Sequence, residues 1–216
     1  MTEPNHVLRF LFFLLVVRPL VMVVLGLNIR HRELLPRTGP AIVVANHNSH
    51  LDTLVLMSLF PLRELPRLRP VAAADYFLRN RTMAWFATRI IGIIPLNRAT
   101  KVAHGDPLAG PSAALARGDI VILFPEGSRG DPEKLDGFKT GVAHLAKRNR
   151  EVPVLPIFLH GLGKALPRGA FVLVPFFCDV FVGNKIVWCD DRGQFMTALE
   201  QGMHELASEG HFPVWG

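Results

Sequence analysis

The sequence predicts an α/β protein in which helices flank a mixed β-sheet, preceded by a two-helix membrane-binding element at the amino terminus. Short apolar runs at 41–45, 121–124 and 152–157 have the length and composition of buried strands. Helical spacing of apolar residues appears between and around them, at 80–91 and 137–150. Because strands and helices alternate, and 216 residues can bury one full core, we expect a single α/β sandwich after the amino-terminal element.

The composition favours contact with a membrane surface. The chain carries a net charge of +6, half of its residues are hydrophobic, and its mean hydropathy is +0.28. A basic balance suits nucleic acid or anionic lipid, but the sequence has no lysine-rich run beside aromatic residues, which argues against nucleic acid. Cys178 and Cys189 show no metal-binding spacing, so we expect two buried free thiols and no zinc site.

The amino-terminal segment Val7–Leu27 is almost entirely apolar, and Arg18-Pro19 interrupts it. A membrane-spanning helix needs about 20 apolar residues, so neither piece is long enough to cross. We therefore expect two short helices lying in one leaflet, within a membrane-associated segment 1–35 that precedes a catalytic domain at 36–216. The alternatives are a helix packed on the domain core and a signal peptide, which lacks a small-residue cleavage site here. The basic residues expected at the head-group level are Arg9, Arg18, Arg30, His31 and Arg32.

The candidate reactive side chains lie directly after the first strand, in the run Asn46-His47-Asn48-Ser49-His50-Leu51-Asp52. On one unbroken helix, side chains five residues apart would point about 140° away from each other. If the chain turns first, with Asn48 or Ser49 as helix cap, Asp52 in the first turn can point back at His47. A carboxylate that orients one imidazole nitrogen leaves the other free to take a proton from an alcohol. The competing interpretation is a helix cap or a buried polar pair without catalytic function.

Three further blocks follow in order: Gly92–Arg98, Phe124–Arg129 and Val152–Pro156. Together with the first block, they resemble the glycerolipid acyltransferases of the lysophosphatidic acid acyltransferase type. The resemblance implies a glycerolipid acyltransferase-like fold and transfer of a fatty acyl group to a lysophosphatidic acid hydroxyl, giving phosphatidic acid. The acyl donor would be acyl-CoA or acyl carrier protein, with no separate cofactor and no metal.

The candidate site residues follow from these blocks. His47 is the expected general base, and Asp52 would hold its tautomer and stabilise the imidazolium. Guanidinium groups bind phosphate in a fork, so an arginine in the second or third block is suited to the acceptor phosphate. Glu126 is expected to orient an arginine or to accept from the glycerol hydroxyl. The substrate-binding set is Arg98, Glu126, Gly127, Ser128, Arg129 and Lys139.

Two departures from the family pattern leave the acceptor open. Asn97 stands where an aspartate often precedes the second-block arginine, and Thr140 stands beside Lys139 where a second basic residue is typical. Lyso-ornithine lipid or another lysophospholipid therefore stays an alternative to lysophosphatidic acid. The expected partners are membrane lipids and the acyl donor, with no nucleic acid, and the expected location is the cytoplasmic face of a bacterial inner membrane. The oligomeric state stays open.

Two other protein functions fit the sequence less well. A membrane lipid-binding protein that has lost catalysis would be favoured by loss of His47 or Asp52, and both are present. A metal-dependent phosphoesterase using His47, His50 and Asp52 would need further histidine and aspartate clusters, and the sequence has none with suitable spacing. His160, after the fourth block, is a possible neighbour of the site without an assigned role.

Overall fold

The structure described is a computed structural model. The structure describes residues 4–49, 51–96, 106–127, 135, 137–165 and 177–210.

A seven-stranded mixed sheet forms the centre of the protein, in the order β1-β7-β6-β2-β5-β3-β4. Neighbouring strands run parallel except β6 and β7, which are antiparallel. The mixed α/β sheet predicted from the sequence is therefore confirmed. The strands are β1 (Leu27–Arg30), β2 (Ala41–Ala45), β3 (Leu68–Ala73), β4 (Ile94–Leu96), β5 (Ile120–Leu123), β6 (Val154–His160) and β7 (Cys178–Val182).

Helices lie on both faces of the sheet. The α-helices are α1 (His6–Phe12), α2 (Asp52–Ser58), α3 (Ala74–Phe77), α4 (Arg81–Phe86), α5 (Ala109–Ala116), α6 (Gly141–Arg148), α7 (Leu162–Ala165) and α8 (Arg192–Glu209). Short 3-10 turns occur at Arg32–Leu34 and Leu62–Arg67, and π-helical turns occur at Phe13–Val17, Leu20–Val24 and Ala87–Ile91.

The central strand β2 is buried on both faces, as expected for a strand inside a sheet covered by helices. Val43 packs into the core formed with the amino-terminal helix, α2 and the turn Ala87–Ile91. Its neighbours Ile42 and Val44 pack into the opposite core, formed with α5, α6 and α8. Because both sides of β2 are filled, the position of the loop that follows it is fixed by packing.

The amino-terminal helix (His6–Val23) runs without a break, so the predicted division into two short helices at Arg18-Pro19 is wrong. Arg18 and Pro19 both have right-handed helical backbone angles, and π-helical turns lie on either side of them. Such widened turns commonly accommodate a residue that interrupts the helical hydrogen-bond ladder. By length and composition the helix is apolar enough to cross a membrane, with a mean hydropathy of 2.0, and 22% of it is buried on the domain.

One face of this helix packs on the domain, and the rest is exposed. Every fourth residue is buried, which places them on a single stripe along the helix. The buried set is Arg9, Phe13, Val17, Val21 and Leu25. Large apolar side chains on the other faces, including Val7, Phe10, Leu15 and Met22, stay exposed. The structure therefore agrees in part with two of the alternatives. One stripe of the helix packs on the domain core, and the other faces expose the apolar surface expected of a membrane-binding segment.

Arg9 does not lie at a head-group level, in contrast to the expectation from sequence. Its side chain is 1% exposed, and Nη2 donates to the carbonyl oxygens of Leu68 at 2.7 Å and Ile91 at 2.9 Å. Burial lowers the pKa of Arg9 to about 9. The guanidinium therefore ties the helix to the start of β3 and to the turn Ala87–Ile91.

The expectation of two buried free thiols needs correction. Cys178 and Cys189 are both free thiols, but only Cys178 is buried, because Cys189 follows β7 in an exposed segment. Between β7 and Cys189, Ile186 forms only an isolated bridge with Val154.

Candidate active site

Three loops meet at the carboxyl ends of parallel strands β2, β5 and β6. Val44 is in register with Leu123 of β5, and Ala45 is in register with Ile157 of β6. The residues that follow each strand therefore emerge side by side, which is where α/β sheets collect their sites. Here His47, Glu126 and the end of β6 come together although they are far apart in the sequence.

His47 and Asp52 form a hydrogen-bonded pair. Nδ1 of His47 lies 2.9 Å from Oδ2 of Asp52, the contact that the spacing in the sequence predicts. The same carboxylate oxygen accepts from the backbone amides of Asn48 at 2.7 Å and Ser49 at 2.8 Å. The Asp52 side chain is completely buried, and this desolvation raises its pKa, while the donors from His47, Ser49 and Asn48 act in the opposite direction.

The turn before α2 is built differently from the expected helix cap. The residue at the cap position is Leu51, and no side chain caps the helix there. Asn48 and Ser49 instead donate their backbone amides to Asp52, so the aspartate organises the turn that carries His47. One carboxylate therefore fixes both the loop and the imidazole.

Phe124, the first residue after β5, lies flat against the imidazole of His47. The ring centroids are 4.1 Å apart and the planes are inclined by 21°. Offset stacking at this distance is favourable and limits rotation of the smaller ring. From the sequence, Phe124 is recognisable only as the first residue of a motif, because an apolar residue at a strand end gives no sign of which side chain it will contact.

Asn46 continues the sheet by means of its side chain. Its Nδ2 donates to the carbonyl oxygen of Leu159 at 2.9 Å, and its Oδ1 accepts from the amide of Leu159 at 2.7 Å. Asn46 is fully buried, and its Nδ2 is the closer of two side-chain amide donors to the Leu159 carbonyl, since Nδ2 of Asn48 donates to the same oxygen at 3.5 Å. The loop that carries His47 is thereby fastened to β6.

The turn after β5 supports His47 from a second direction. Oε2 of the buried Glu126 accepts from the His47 backbone amide at 3.4 Å. Gly127 has a φ of +74°, a conformation that favours glycine, and a side chain there would overlap Nζ of Lys139. The Lys139 amide donates to the Pro125 carbonyl at 2.9 Å, which holds the lysine over this turn.

The remaining site candidates divide into two groups. Arg98, Ser128 and Arg129 lie outside the described residues, as does His50. His160 is buried at the end of β6 and does not line the cavity beside His47. Within the described ranges, no group of three histidine, cysteine, aspartate or glutamate side chains is placed to hold a metal ion.

A cavity of about 890 Å³ opens beside the dyad. His47, Gly127 and Lys139 line one part of it, and apolar side chains of other elements line most of the rest. The apolar lining includes Leu54, Phe77, Met83, Phe86 and Phe124. A proton acceptor, a cationic side chain and an apolar chamber thus share one space, which suits a substrate with a polar reacting end and a long apolar chain.

Comparison with known proteins agrees with this geometry. Residues 26–160, more than half of the chain, match the family model described as Acyltransferase. The chain belongs to the acyltransferase family. The matched range contains the dyad, the Glu126 turn and β2 through β6.

Two similar proteins carry the same kind of name. A chloroplastic 1-acyl-sn-glycerol-3-phosphate acyltransferase from Arabidopsis thaliana is 33% identical over 145 residues, which cover 67% of this chain and 38% of that protein. The alpha enzyme of the same description from Mus musculus is 30% identical over 138 residues, covering 61% and 44%. The chain spans about two fifths of the length of the curated relatives it matches.

A solved structure shares the fold of this acyltransferase. The 1-acyl-sn-glycerophosphate acyltransferase from Thermotoga maritima superposes with a TM-score of 0.74, over 92% of this chain and 77% of that one, at 20% sequence identity. The fold class expected from the four sequence blocks is therefore confirmed.

Proposed function

We propose that this acyltransferase moves a fatty acyl group from a thioester, acyl-CoA or acyl carrier protein, to the free hydroxyl of lysophosphatidic acid, giving phosphatidic acid. The observation that carries the proposal is the His47–Asp52 pair at the wall of a largely apolar cavity of about 890 Å³. Nδ1 of His47 is engaged by Asp52, so Nε2 is the nitrogen left for chemistry. The relatives named for this reaction support the same acceptor.

The reaction proceeds in one displacement without an acyl-enzyme. Nε2 of His47 takes the proton of the acceptor hydroxyl as its oxygen attacks the thioester carbonyl carbon. The resulting tetrahedral intermediate collapses, the carbon–sulfur bond breaks, and His47 gives the proton to the departing thiolate, which restores the neutral imidazole. Asp52 stabilises the imidazolium, and the stacked ring of Phe124 offers that cation an aromatic face.

The polar end of the acceptor meets the turn after β5. Lys139 lines the cavity beside His47 and supplies a positive charge for the acceptor phosphate. Arg98 and Arg129 are proposed to complete this phosphate site, since a guanidinium holds two phosphate oxygens at once. Gly127 has no side chain, so the anion can approach this turn closely, and Ser128 is proposed as a further residue of the phosphate site. Oε2 of Glu126 accepts from the backbone amide of His47, and its expected role towards an arginine or the glycerol hydroxyl stays a prediction.

A lysophospholipid substrate implies that the protein acts at a membrane surface. The amino-terminal helix exposes Val7, Phe10, Leu15 and Met22, and this surface supports insertion into one leaflet. We place the protein on the cytoplasmic face of a membrane, where acyl-CoA and acyl carrier protein are available, with residues 1–35 as the membrane-associated segment. No further cofactor enters the scheme, because the donor thioester is already activated.

Product formation by purified, detergent-solubilised protein tests the proposal. Each donor, acyl-CoA or acyl carrier protein, is paired with lysophosphatidic acid, lyso-ornithine lipid or lysophosphatidylglycerol, and products are identified by mass spectrometry. His47→Ala, purified in the same way, is the negative control that detects activity from a copurifying acyltransferase. We expect phosphatidic acid from the wild type and none from the negative control.

The other outcomes overturn separate parts of the proposal. Product with a different lysolipid alone would keep the chemistry and replace the acceptor. Product in equal amount from His47→Ala would remove the dyad from the mechanism. A folded protein that forms no product with any pair would favour the lipid-binding function without catalysis.

A further inference from the structure

An exposed aromatic and apolar surface lies on α3 and α4, apart from the dyad. α4 is six residues long, and none of its residues is buried. The large apolar side chains exposed on these two helices and the bend between them are Tyr76, Leu78, Met83, Trp85 and Phe86, which we call the α3–α4 patch. Trp85 is 53% exposed. Five large apolar side chains exposed between Tyr76 and Phe86 are unusual for a surface that faces water, and they indicate a binding surface.

The charged residues in the sequence from Tyr76 to Arg89 are all arginines, and Arg79 and Arg81 are exposed within the α3–α4 patch. Asp75, the residue before Tyr76 on α3, is exposed as well and lines the catalytic cavity. Aromatic side chains interleaved with arginine suit the interface of an anionic lipid leaflet, where rings sit at the head-group level and cations meet phosphate.

The α3–α4 patch is continuous with two features already described. The ring of Phe86 meets that of Phe12 in the amino-terminal helix edge to face, with centroids 5.3 Å apart. Tyr76, Met83 and Phe86 also line the cavity that contains His47. The patch therefore extends the apolar surface of the amino-terminal helix to the rim of the catalytic cavity.

We propose that the α3–α4 patch is a second membrane-contact surface that seats the cavity rim on an anionic bilayer. The amino-terminal helix alone would leave the domain free to rotate about one line of contact. A second contact beside the cavity fixes the orientation and lets a lysolipid pass from the leaflet to His47 without crossing water. This docking does not depend on which acyl acceptor is used.

Trp85 is a reporter at the centre of the patch. The chain has three tryptophans, so a Trp188→Phe, Trp215→Phe variant leaves Trp85 alone. The full-length variant is mixed with phosphatidylglycerol vesicles whose acyl chains carry bromine near the head group, and with equivalent phosphatidylcholine vesicles. We expect the Trp85 emission to shift to shorter wavelength and to be quenched by the brominated phosphatidylglycerol. Unquenched Trp85 in protein that cosediments with the vesicles would overturn the proposal.

Surface variants test the same contact by affinity. Met83→Ser with Trp85→Ser removes apolar contact, and Val187→Ser is the matched control, because Val187 is 54% exposed and its neighbours Ile186 and Trp188 pack against the opposite core. We expect the double variant to bind phosphatidylglycerol vesicles about tenfold more weakly and the control to bind as the wild type does. Equal affinity of all three would overturn the proposal.

Arg79→Gln with Arg81→Gln tests the charge. We expect this variant to lose about 30-fold in affinity for phosphatidylglycerol vesicles, since each arginine contributes about 1 kcal/mol at an anionic surface, and to keep its affinity for phosphatidylcholine. Thermal unfolding confirms that each variant is folded, and the Trp85 quenching stands independently of them. If the variants change the sedimenting mass of the protein and leave vesicle affinity unchanged, the patch joins two copies of the chain and the proposal fails.

Discussion

The imidazole of His47 lies face to face with the ring of Phe124, with 4.1 Å between the ring centroids and 21° between the planes. One end of the imidazole is fixed by Asp52 and one face by Phe124, so the ring has little freedom to leave the orientation that presents Nε2 to the cavity.

Replacing Phe124 by leucine should lower kcat about tenfold with little change in KM, because the aromatic face that meets the imidazolium is lost while apolar volume is largely kept. Phe124→Tyr should retain most of the activity. The stacking can be measured apart from catalysis by NMR, since the face of Phe124 shifts the His47 ring protons upfield. A leucine variant with unchanged kcat and unchanged His47 resonances would show that the ring contact has no function.

Asp52→Asn should separate activity from stability. Transfer should fall by about 10²–10⁴-fold, because an amide holds the imidazole without stabilising its cation. Desolvation raises the pKa of Asp52, so the ionised carboxyl costs folding free energy at neutral pH. We therefore expect the variant to unfold at the same temperature as the wild type or at a higher one.

The pH dependence of this difference has a definite sign. A carboxyl whose pKa is higher in the folded state binds more protons there, so its stability cost is full above the folded-state pKa and disappears as pH falls through it. The stability advantage of Asp52→Asn should therefore shrink on acidification, as measured by thermal unfolding across pH. A variant that unfolds far below the wild type at neutral pH would assign Asp52 a mainly structural role.

Gly127→Ala should strain the turn after β5 and displace the side chain of Lys139. The φ of +74° costs a residue with a side chain about 1–2 kcal/mol, and the added methyl group would displace Lys139. We expect a lower melting temperature and a raised KM for the phosphate-bearing acceptor. Gly137→Ala is the control, because a side chain at Gly137 would meet no atom. Unchanged acceptor KM in Gly127→Ala would exclude this turn from the phosphate site.

Asn46→Ala should destabilise the protein by about 2 kcal/mol, because the Leu159 amide loses its buried partner and the Leu159 carbonyl keeps only the 3.5 Å contact with Nδ2 of Asn48. Chemical denaturation measures the change. Asn28→Ala is the control, since Asn28 makes a single exposed hydrogen bond to Asp179. Equal effects of the two substitutions would show that Asn46 does not fasten the catalytic loop to β6.

The sequence predicts those parts of the site that depend on local spacing. Asp52 follows His47 by five positions, after a strand and at the start of a helix, which leaves few ways to place both side chains, and the contact follows. Alternation of apolar runs likewise predicts the mixed sheet, because parallel strands buried on both faces carry continuous apolar sequence.

The features that the sequence does not predict depend on partners far along the chain. Phe124 meets His47 only because β2 and β5 are parallel neighbours in a fixed register, and Asn46 meets Leu159 only because β6 lies on the other side of β2. Arg9 seemed suited to lipid head groups, but its target carbonyls at Leu68 and Ile91 belong to distant elements. The helix break expected at Arg18-Pro19 failed because π-helical turns can carry a proline that a regular α-helix tolerates poorly.

The rate of acyl transfer by His47→Ala tests the central claim most directly, with wild type and His204→Ala measured under the same saturating thioester and lysophosphatidic acid. His204 is exposed on α8, so its replacement controls for the loss of an imidazole outside the site. We expect His204→Ala to match the wild type and His47→Ala to be slower by about 10²–10⁴-fold, the contribution of a positioned general base. A His47→Ala protein that forms phosphatidic acid at the wild-type rate would contradict the account, because no other described side chain is assigned to take the hydroxyl proton.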